Sequence, residues 1–314
     1  MVKYYFSCLL LIICGLVFSI AAAAQRPQKL QLGFSIPVQK ITPEILTKAK
    51  ANGIDYIETS INAFIDADRN FKISDAEIIS AVKAAKAAAD EAGIRVWSIH
   101  MPFGPKIDLS LTDDAERRRV LELHKKVIAF CSLLQPQVIL FHPSFFLGLN
   151  ERERRKNQLV LSATELNKAV KAIGATMVIE NMFGPELLRD ADRERPLLRT
   201  VEETVDIMNQ LPADIYAAID LNHAKYPASL IYAMGSRLKT IHVADGTDKA
   251  ENHFFPCSGE GHNDWVAIFV ALHAVKYKGP FMYESKYKDV SEFEPCYESL
   301  YQSFLHAHQT GSRK

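Results

Sequence analysis

The sequence predicts an α/β protein that closes into one (β/α)8 barrel, and three features of its 314 residues indicate this fold. Short strand-like runs alternate with longer helical patterns eight times, from about residue 30 onward. Most of these runs are apolar throughout, as strands buried on both faces of a parallel sheet are. The alternation covers roughly 280 residues without a change in composition, which suits a single closed barrel of about 250 residues.

The predicted strands are short, and each is followed by a helical pattern. They are residues 30–36, 54–60, 94–100, 138–142, 176–180, 215–220, 238–242 and 281–284. Thr42 supplies a capping hydroxyl before Pro43, which suits the first helical position. Capping boxes are predicted for "SDAE" at residues 74–77 and "TVEE" at residues 200–203. Helix ends just before strands are indicated by glycine, at Gly53, Gly93 and Gly174.

A doubly wound open sheet is the competing fold, because it uses the same alternation of strands and helices. That fold more often carries a glycine-rich phosphate-binding turn after its first strand. Here the first strand is followed by "SIPVQKITPE", which contains no such turn. The sequence therefore favours the barrel.

The amino terminus predicts a secretory signal in residues 1–24, followed by the barrel domain in residues 25–314. Lys3 precedes an apolar run over residues 4–20, and alanines at positions 22–24 supply the small residues that signal peptidase requires. The mature protein is therefore expected in the periplasm or the extracellular space, with no membrane attachment after cleavage. An uncleaved anchor is the alternative, since the run approaches the ~20 residues of a spanning helix. A lipoprotein signal at Cys14 is disfavoured, because the bulky Ile13 precedes it.

Composition and charge are ordinary for a soluble globular protein, with 48% hydrophobic residues, 24% charged residues and a formal net charge of zero. No basic face is indicated, so nucleic acid is not an expected partner. Removal of the signal leaves Cys131, Cys257 and Cys296, which allow at most one disulfide bridge. At least one thiol stays unpaired within a monomer, so stability is expected to come from the core.

Four consecutive predicted strands in the second half end on side chains that can bind a metal ion. They are Glu180 in "VIEN", Asp220 in "AIDLNH", His242 in "TIHVAD" and Glu284 in "MYES". Each residue alone has an ordinary structural explanation, such as an ion pair or a helix cap. In a barrel, however, these ends converge at the carboxyl mouth, where carboxylates would lose hydration and repel one another. Three carboxylates and one imidazole predict a single divalent cation, Mn²⁺ in preference to Mg²⁺, Co²⁺ or Zn²⁺.

A second set of polar and aromatic residues is predicted to contact a substrate at the same mouth. It comprises Glu58, His100, His142, His223, Trp265 and Lys286. The histidines and Glu58 could instead orient the ligands from behind, or coordinate further ions. Glu58 could simply pair with a lysine, and Lys286 could form a salt bridge with Glu284.

These residues resemble those of the xylose isomerase-like TIM barrel superfamily. The resemblance covers nearly all of the mature chain and is specific in the ordered series "HMP", "HPS", "IEN", "DLNHA", "IHVAD", "SGEGHNDW" and "YES". It implies metal ligands at Glu180, Asp220, His242 and Glu284, and a substrate contact at His223. The superfamily includes sugar isomerases and epimerases, enzymes that cleave 3-keto-glycosides, and the endonuclease IV group.

Two departures from the superfamily patterns fall in one loop. Ketose 3-epimerases usually carry an arginine after the strand-seven histidine, where Phe254 stands here, and the loop over residues 245–263 is longer than expected. Endonuclease IV-like members bind three zinc ions and use an Asp-x-His pair in this loop, where this chain has "ENH" at residues 251–253. A trinuclear hydrolase site is disfavoured by the expected export and by the absence of a basic face.

The expected function is that of an exported, metal-dependent sugar isomerase or epimerase acting on a small carbohydrate. Glu180 and Glu284 would move a proton next to a carbonyl through an enediolate. The alternative is a lyase or dehydratase that performs β-elimination on a 3-keto-glycoside. A non-catalytic sugar-binding barrel is a third hypothesis, disfavoured by the paired glutamates, and self-association into a homo-oligomer is left open.

Overall fold

The computed structural model describes residues 27–183 and 191–311, so the predicted signal over residues 1–24 lies outside the described part of the chain. The described strands, in chain order, are β1 (Leu32–Ser35), β2 (Ile54–Thr59), β3 (Arg95–His100), β4 (Val138–Phe141), β5 (Leu147–Gly148), β6 (Thr176–Glu180), β7 (Arg193–Glu194), β8 (Tyr216–Asp220), β9 (Leu238–Val243) and β10 (Phe281–Tyr283). The described helices are α1 (Pro43–Ala51), α2 (Asp75–Ala92), α3 (Asp114–Cys131), α4 (Arg152–Ala172), α5 (Val201–Gln210), α6 (Pro227–Met234), α7 (Trp265–Ala274) and α8 (Phe293–Gly311).

Eight of these strands form a closed parallel barrel in the order β1-β10-β9-β8-β6-β4-β3-β2. Each barrel strand is followed by one of the helices α1 to α8, so the predicted (β/α)8 barrel is confirmed. All eight predicted strands are present, most of them shorter by one to three residues at their ends. Among the helices of the described residues, none is long and apolar enough to span a membrane.

The local helix signals act largely as predicted. The Thr42 hydroxyl accepts a hydrogen bond from the amide of Ile45, and residues 74–77 form a complete capping box. At α5 only half of the predicted box forms. The Thr200 hydroxyl accepts from the Glu203 amide, but the Glu203 carboxylate accepts from the Arg199 amide and pairs with Arg152 instead.

The barrel interior holds a buried cluster of strand residues, separate from the larger core between strands and helices. Trp97 on β3 packs edge-on against Tyr56 at 5.4 Å between ring centroids. Its indole nitrogen donates a 3.0 Å hydrogen bond to the hydroxyl of Thr240 on β9, a strand that is not its neighbour. Because this bond crosses the interior, the barrel is a packed core that supports a site at its mouth.

One disulfide bridge joins Cys257, in the loop between β9 and α7, to Cys296 on α8. Cys131 is buried and has a free thiol. This arrangement agrees with the prediction of at most one bridge. The bridge anchors a long loop of the barrel mouth to the helical layer.

A small antiparallel sheet lies outside the barrel and was not predicted. It pairs β5 with β7, and so connects the loops that follow β4 and β6. The guanidinium of Arg152 lies 2.8 Å from Glu203 Oε1 and 3.3 Å from Glu194 Oε2. It also donates to the backbone carbonyl of Pro196. These contacts hold the two loops together at one side of the mouth.

Candidate metal centre

The four predicted metal ligands meet at the carboxyl ends of four consecutive barrel strands. One ligand atom from each of Glu180, Asp220, His242 and Glu284 lies within 4.8 Å of the others. Glu180, Asp220 and His242 are the last or nearly last residues of β6, β8 and β9, and Glu284 directly follows β10. The first three are fully buried, whereas the Glu284 side chain is 25% exposed. The barrel therefore delivers three carboxylates and one imidazole to one point.

His242 lies at the centre of this cluster, and both of its ring nitrogens are engaged. Its Nδ1 lies 2.8 Å from Glu180 Oε1 and 2.6 Å from Glu284 Oε2. Its Nε2 lies 3.0 Å from Glu58 Oε2, which also accepts a 2.6 Å hydrogen bond from the Ser98 hydroxyl. Glu58 therefore stands behind His242 and fixes its ring, so that Nδ1 faces the other ligands.

The protonation of the cluster shows how strongly its charges interact. Burial disfavours the imidazolium of His242, but the carboxylates of Glu284, Glu58 and Glu180 outweigh burial and raise its pKa well above the ordinary value. Burial likewise favours the neutral form of Glu284, but His242 outweighs it and lowers the pKa of Glu284 to about 2. For Asp220, burial prevails over His223 and raises the pKa. The single positive charge of a protonated His242 therefore does not neutralise the negative charges of Glu180, Asp220 and Glu284 together.

The donor set fits a divalent cation. Within the described residues, Asp220 Oδ2 is a buried atom without a hydrogen-bond partner, and Glu180 Oε2 has near it only the Nε2 atoms of His142 and His100, at 3.1 Å and 3.7 Å. A buried oxygen that lacks a donor is costly, and a cation restores the interaction that burial removes. Three oxygen ligands and one imidazole nitrogen suit manganese or magnesium better than a thiol-selecting metal. Glu180, Asp220, His242 and Glu284 are therefore the residues that could hold the ion.

Two further groups at the mouth could also bind cations, and each shares a carboxylate with the central cluster. His100 and His142 group with Glu180, and their Nε2 atoms lie 3.7 Å and 3.1 Å from Glu180 Oε2. On the other side, His223 and His253 group with Asp220. The central cluster thus shares Glu180 with the first of these groups and Asp220 with the second.

Three of these histidines are held by backbone carbonyls in a common way. Nδ1 of His100 lies 3.1 Å from the carbonyl of Met101, and Nδ1 of His223 lies 3.0 Å from that of Asn181. Nδ1 of His253 lies 2.8 Å from the carbonyl of Glu284. A carbonyl only accepts hydrogen bonds, so Nδ1 carries the hydrogen in each ring. In the neutral form of each ring, Nε2 is then left as an acceptor for a cation or for a substrate hydroxyl.

Sequence reasoning missed the asparagines that position these ligands. Asn181 donates to the backbone carbonyl of Asp220 at 3.2 Å and accepts from its amide at 2.7 Å. The side-chain oxygen of Asn222 accepts from the amides of Asn252 and His253, both at 3.2 Å. Both asparagines follow strand-end ligands in "IEN" and "DLN", and that adjacency is the signal that could have identified them. A Cβ at Gly246 would lie 2.4 Å from Asn222 Oδ1, so this turn requires glycine.

A cavity of about 380 Å³ opens above the cluster. Its floor includes the predicted residues Glu180, Glu284, His100, His142 and His223. Its walls are rich in apolar side chains, namely Phe103, Phe145, Phe146, Met182, Phe183 and Pro196. Charged side chains also line it, from Arg195, Lys249 and Glu251. The arrangement pairs a polar floor with largely apolar walls, which suits a small ligand with both polar and apolar faces.

The structure places three predicted substrate contacts away from this cavity. Trp265 is only 9% exposed, packs against Phe281 and donates from its indole to Asp245 Oδ2 at 3.0 Å. The ammonium of Lys286 lies 5.7 Å from the ring centroid of Phe254, and Lys286 is not among the cavity-lining residues. Glu58 is fully buried behind His242. Trp265 and Lys286 therefore do not line this cavity, and Glu58 lies where it can orient His242, the alternative considered for it; the substrate contacts of all three stay predictions.

Comparison with known proteins agrees with this architecture. Residues 46–301 match the family model described as xylose isomerase-like TIM barrel. The chain belongs to this family. Within the xylose isomerase-like family, SgbU of Escherichia coli, provisionally named an L-ribulose-5-phosphate 3-epimerase, is 24% identical over 77% of this chain and 82% of its own.

Solved structures of similar fold include several sugar epimerases. The 3-keto-D-glucoside 4-epimerase YcjR from E. coli has a TM-score of 0.64 and 16% identity, covering 88% of this chain and all of its own. An L-ribulose 3-epimerase has a TM-score of 0.65 and 17% identity, covering 91% of this chain and 97% of its own. At these identities the likeness establishes the shared fold.

Proposed function

We propose that this protein is a divalent-metal-dependent sugar epimerase or isomerase that moves a proton on the carbon next to a carbonyl. The observation that carries the proposal is the convergence of one ligand atom each from Glu180, Asp220, His242 and Glu284, of which Glu180 and Glu284 line the cavity. The names of the relatives support it, because SgbU and the similar solved structures are described as sugar epimerases. Paired glutamates facing one cavity are what such a proton transfer requires.

The metal ligands are proposed to be Glu180, Asp220, His242 and Glu284, with one manganese ion held between them. When bound, the ion would polarise the substrate carbonyl and stabilise the negative charge that develops on its oxygen. His100, His142 and His223 are proposed to bind substrate hydroxyls through Nε2, because all three line the cavity and each Nε2 lies within 3.7 Å of Glu180 or Asp220. This assignment predicts one ion per chain. The group of His100, His142 and Glu180 and the group of Asp220, His223 and His253 could bind further ions.

Glu180 and Glu284 are proposed as the acid and base. Both line the cavity, and the low pKa of Glu284 keeps it as a carboxylate at neutral pH. One glutamate, as the carboxylate, removes the proton from the carbon beside the carbonyl, and the other, as the carboxylic acid, donates its own proton to the opposite face. General acid-base catalysis of this kind typically contributes 10²- to 10⁴-fold in rate.

Hydrogen exchange tests this function. The manganese-loaded protein is incubated in D₂O with a panel of free ketoses and 3-keto-glycosides, and incorporation of deuterium beside the carbonyl is followed by NMR. The wild type is expected to incorporate deuterium and to form the epimer, whereas Glu180→Gln and Glu284→Gln are expected to lose at least 10²-fold in rate. Glu91→Gln, an exposed change on α2, is the matched control. No deuterium incorporation into any substrate would refute the proposal.

A lyase is the second candidate, and the apolar walls of the cavity favour it. A free ketose carries hydroxyls on most of its carbons, whereas Phe145, Phe146 and Met182 offer an apolar surface that suits the rest of a glycoside. One glutamate would remove the proton beside the ketone, and the C–O bond at the neighbouring carbon would then break. The electron pair would leave with that oxygen, which takes a proton from the other glutamate to give an alcohol and an unsaturated ketone. Release of alcohol in the same assay identifies this reaction.

Export from the cytoplasm is also proposed. The predicted signal over residues 1–24 supports it, as does the bridge between Cys257 and Cys296, since structural disulfides persist mainly in oxidising compartments. Amino-terminal sequencing of the protein recovered from the periplasm or the medium is expected to begin near Gln25. Recovery of the protein in the cytoplasm with Met1 intact would contradict export.

A further inference from the structure

Phe103 is an unusually exposed aromatic residue beside the candidate metal centre. It lies in the loop between β3 and α3 and is 45% exposed. Its ring centroid lies 4.0 Å from that of His142 and 5.4 Å from that of His100. Large apolar groups left open to water at a cavity mouth commonly mark binding surfaces. One face of this ring is therefore available next to the residues that would hold the reacting sugar.

Phe103 also separates two cavities. Besides the main cavity, it lines a groove of about 160 Å³ formed by two chain segments, residues 62–67 and 102–107. A ligand that reaches from the metal centre into this groove must pass over the Phe103 ring. The groove therefore adjoins the main cavity across the side chain of Phe103.

The walls of the groove are held in place by local hydrogen bonds. The backbone groups of Gly104 and Ile107 pair with each other at 3.2 Å and 3.0 Å. On the opposite wall, Asp66 Oδ1 accepts from the amides of Asp68 and Asn70 at 2.8 Å and 2.9 Å. Such a preformed groove loses little conformational entropy when a ligand binds.

The polar groups of the groove indicate what it binds. Asn62 lines it, and within the described part of the chain the side-chain oxygen of Asn62 is buried without a hydrogen-bond partner. A buried acceptor of this kind is stabilised by a hydroxyl donor. Asp66 also lines the groove, and hydrogen bonds from Asn70 lower its pKa, so an anionic group such as a phosphate would be repelled. The groove thus suits a neutral ligand with hydroxyl groups and one apolar face.

We propose that the substrate is a two-ring glycoside whose second sugar ring stacks on Phe103 and occupies this groove. A pyranose ring matches the groove because its C–H face packs on an aromatic ring while its edge carries hydroxyls for Asn62. The proposal rests on the proposed function, because it places the reacting ring at the metal centre. It adds the substrate class, a disaccharide or its 3-keto derivative in preference to a free ketose or an aryl glycoside.

The test compares a 3-keto-disaccharide with the corresponding methyl 3-keto-glucoside. The wild type is expected to prefer the disaccharide, measured as the ratio of the two kcat/KM values. Phe103→Ala should lower that ratio about tenfold, Phe103→Trp should restore it, and Asn62→Ala should lower it severalfold. Tyr226→Ala removes an aromatic ring that is 60% exposed and lines neither cavity, so it should leave the ratio unchanged. An unchanged ratio in Phe103→Ala would overturn the proposal.

Binding measurements separate failure of this proposal from failure of the proposed function. Calorimetry with the unoxidised disaccharide and methyl glucoside requires no turnover. Tighter binding of the disaccharide that is lost in Phe103→Ala supports the groove even if no substrate exchanges hydrogen. Equal binding of the two compounds, with hydrogen exchange intact, refutes the groove and leaves the proposed function standing. Circular dichroism of each variant confirms that it is folded.

Discussion

At the scale of single residues, Asp220 shows why a buried strand ends on a carboxylate. Its Oδ1 accepts from the amides of Asn222 and His223 at 2.6 Å and 3.3 Å, so half of the carboxylate is satisfied by its own turn. Its Oδ2 is buried and, within the described residues, has no hydrogen-bond donor. The unsatisfied oxygen belongs to a carboxylate that lies within the ligand cluster, and such an oxygen is stabilised by a bound cation.

The second residue of interest is Glu58, which supports His242 from behind. Glu58→Gln keeps the size of the side chain but removes the charge that holds the imidazole, so metal affinity should fall 10- to 100-fold. Competition with a chelating dye measures this affinity. Glu91→Gln should bind the ion as the wild type does. An unchanged affinity in Glu58→Gln would show that His242 needs no support from Glu58.

The four ligand candidates could be predicted from the sequence because each is tied to a strand end. Strand ends are visible as the last residue of an apolar run, and parallel strands in a barrel bring those ends to one face. Trp265 and Lys286 were harder to place because they lie in segments whose direction depends on the fold of the loops, and neither lines the cavity. His253 was not predicted as a separate ligand candidate and was considered only as part of "ENH". Nothing in the sequence shows that its loop returns to Asp220.

At the scale of elements, the loop between β9 and α7 is the part of the mouth fixed by the disulfide. Cys257 and Cys296 are 39 residues apart, and a bridge of such separation typically contributes 2–5 kcal/mol. The double variant Cys257→Ser/Cys296→Ser should therefore unfold at lower urea concentration than the wild type. Reductant should destabilise the wild type and have no effect on the double variant. Equal stability of the two oxidised proteins would contradict this role.

Barrel strands and helix starts were predictable from the sequence, whereas the small antiparallel sheet of β5 and β7 at the mouth was not. The capping signal at residues 74–77 is local and acts as predicted. β5 and β7 have only two residues each and pair across a separation of 45 to 47 positions, so neither has a periodic pattern. The capping box at α5 is only half formed because of another contact between distant parts of the sequence. Arg152, which also holds the β5–β7 sheet, donates a hydrogen bond to the Glu203 carboxylate.

At the scale of the whole molecule, the barrel concentrates buried charge at one end and keeps an apolar interior at the other. Binding of an ion to the folded state alone should stabilise the protein by about 2.7 kcal/mol at 100 times its Kd. For a chain of this size the unfolding midpoint should then rise by roughly 5 °C on addition of Mn²⁺. Differential scanning calorimetry with and without Mn²⁺ measures this shift, with Asp220→Asn as the comparison. An identical midpoint for the wild type in both conditions would contradict ion binding.

The account depends most on a single ion held by the ends of β6, β8, β9 and β10. Equilibrium dialysis of the metal-stripped protein against Mn²⁺, followed by elemental analysis, tests this most directly. The account predicts one ion per chain in the wild type and loss of that ion in Asp220→Asn at the same free concentration. A wild-type protein that binds no ion, or an Asp220→Asn variant that retains it fully, would contradict the account.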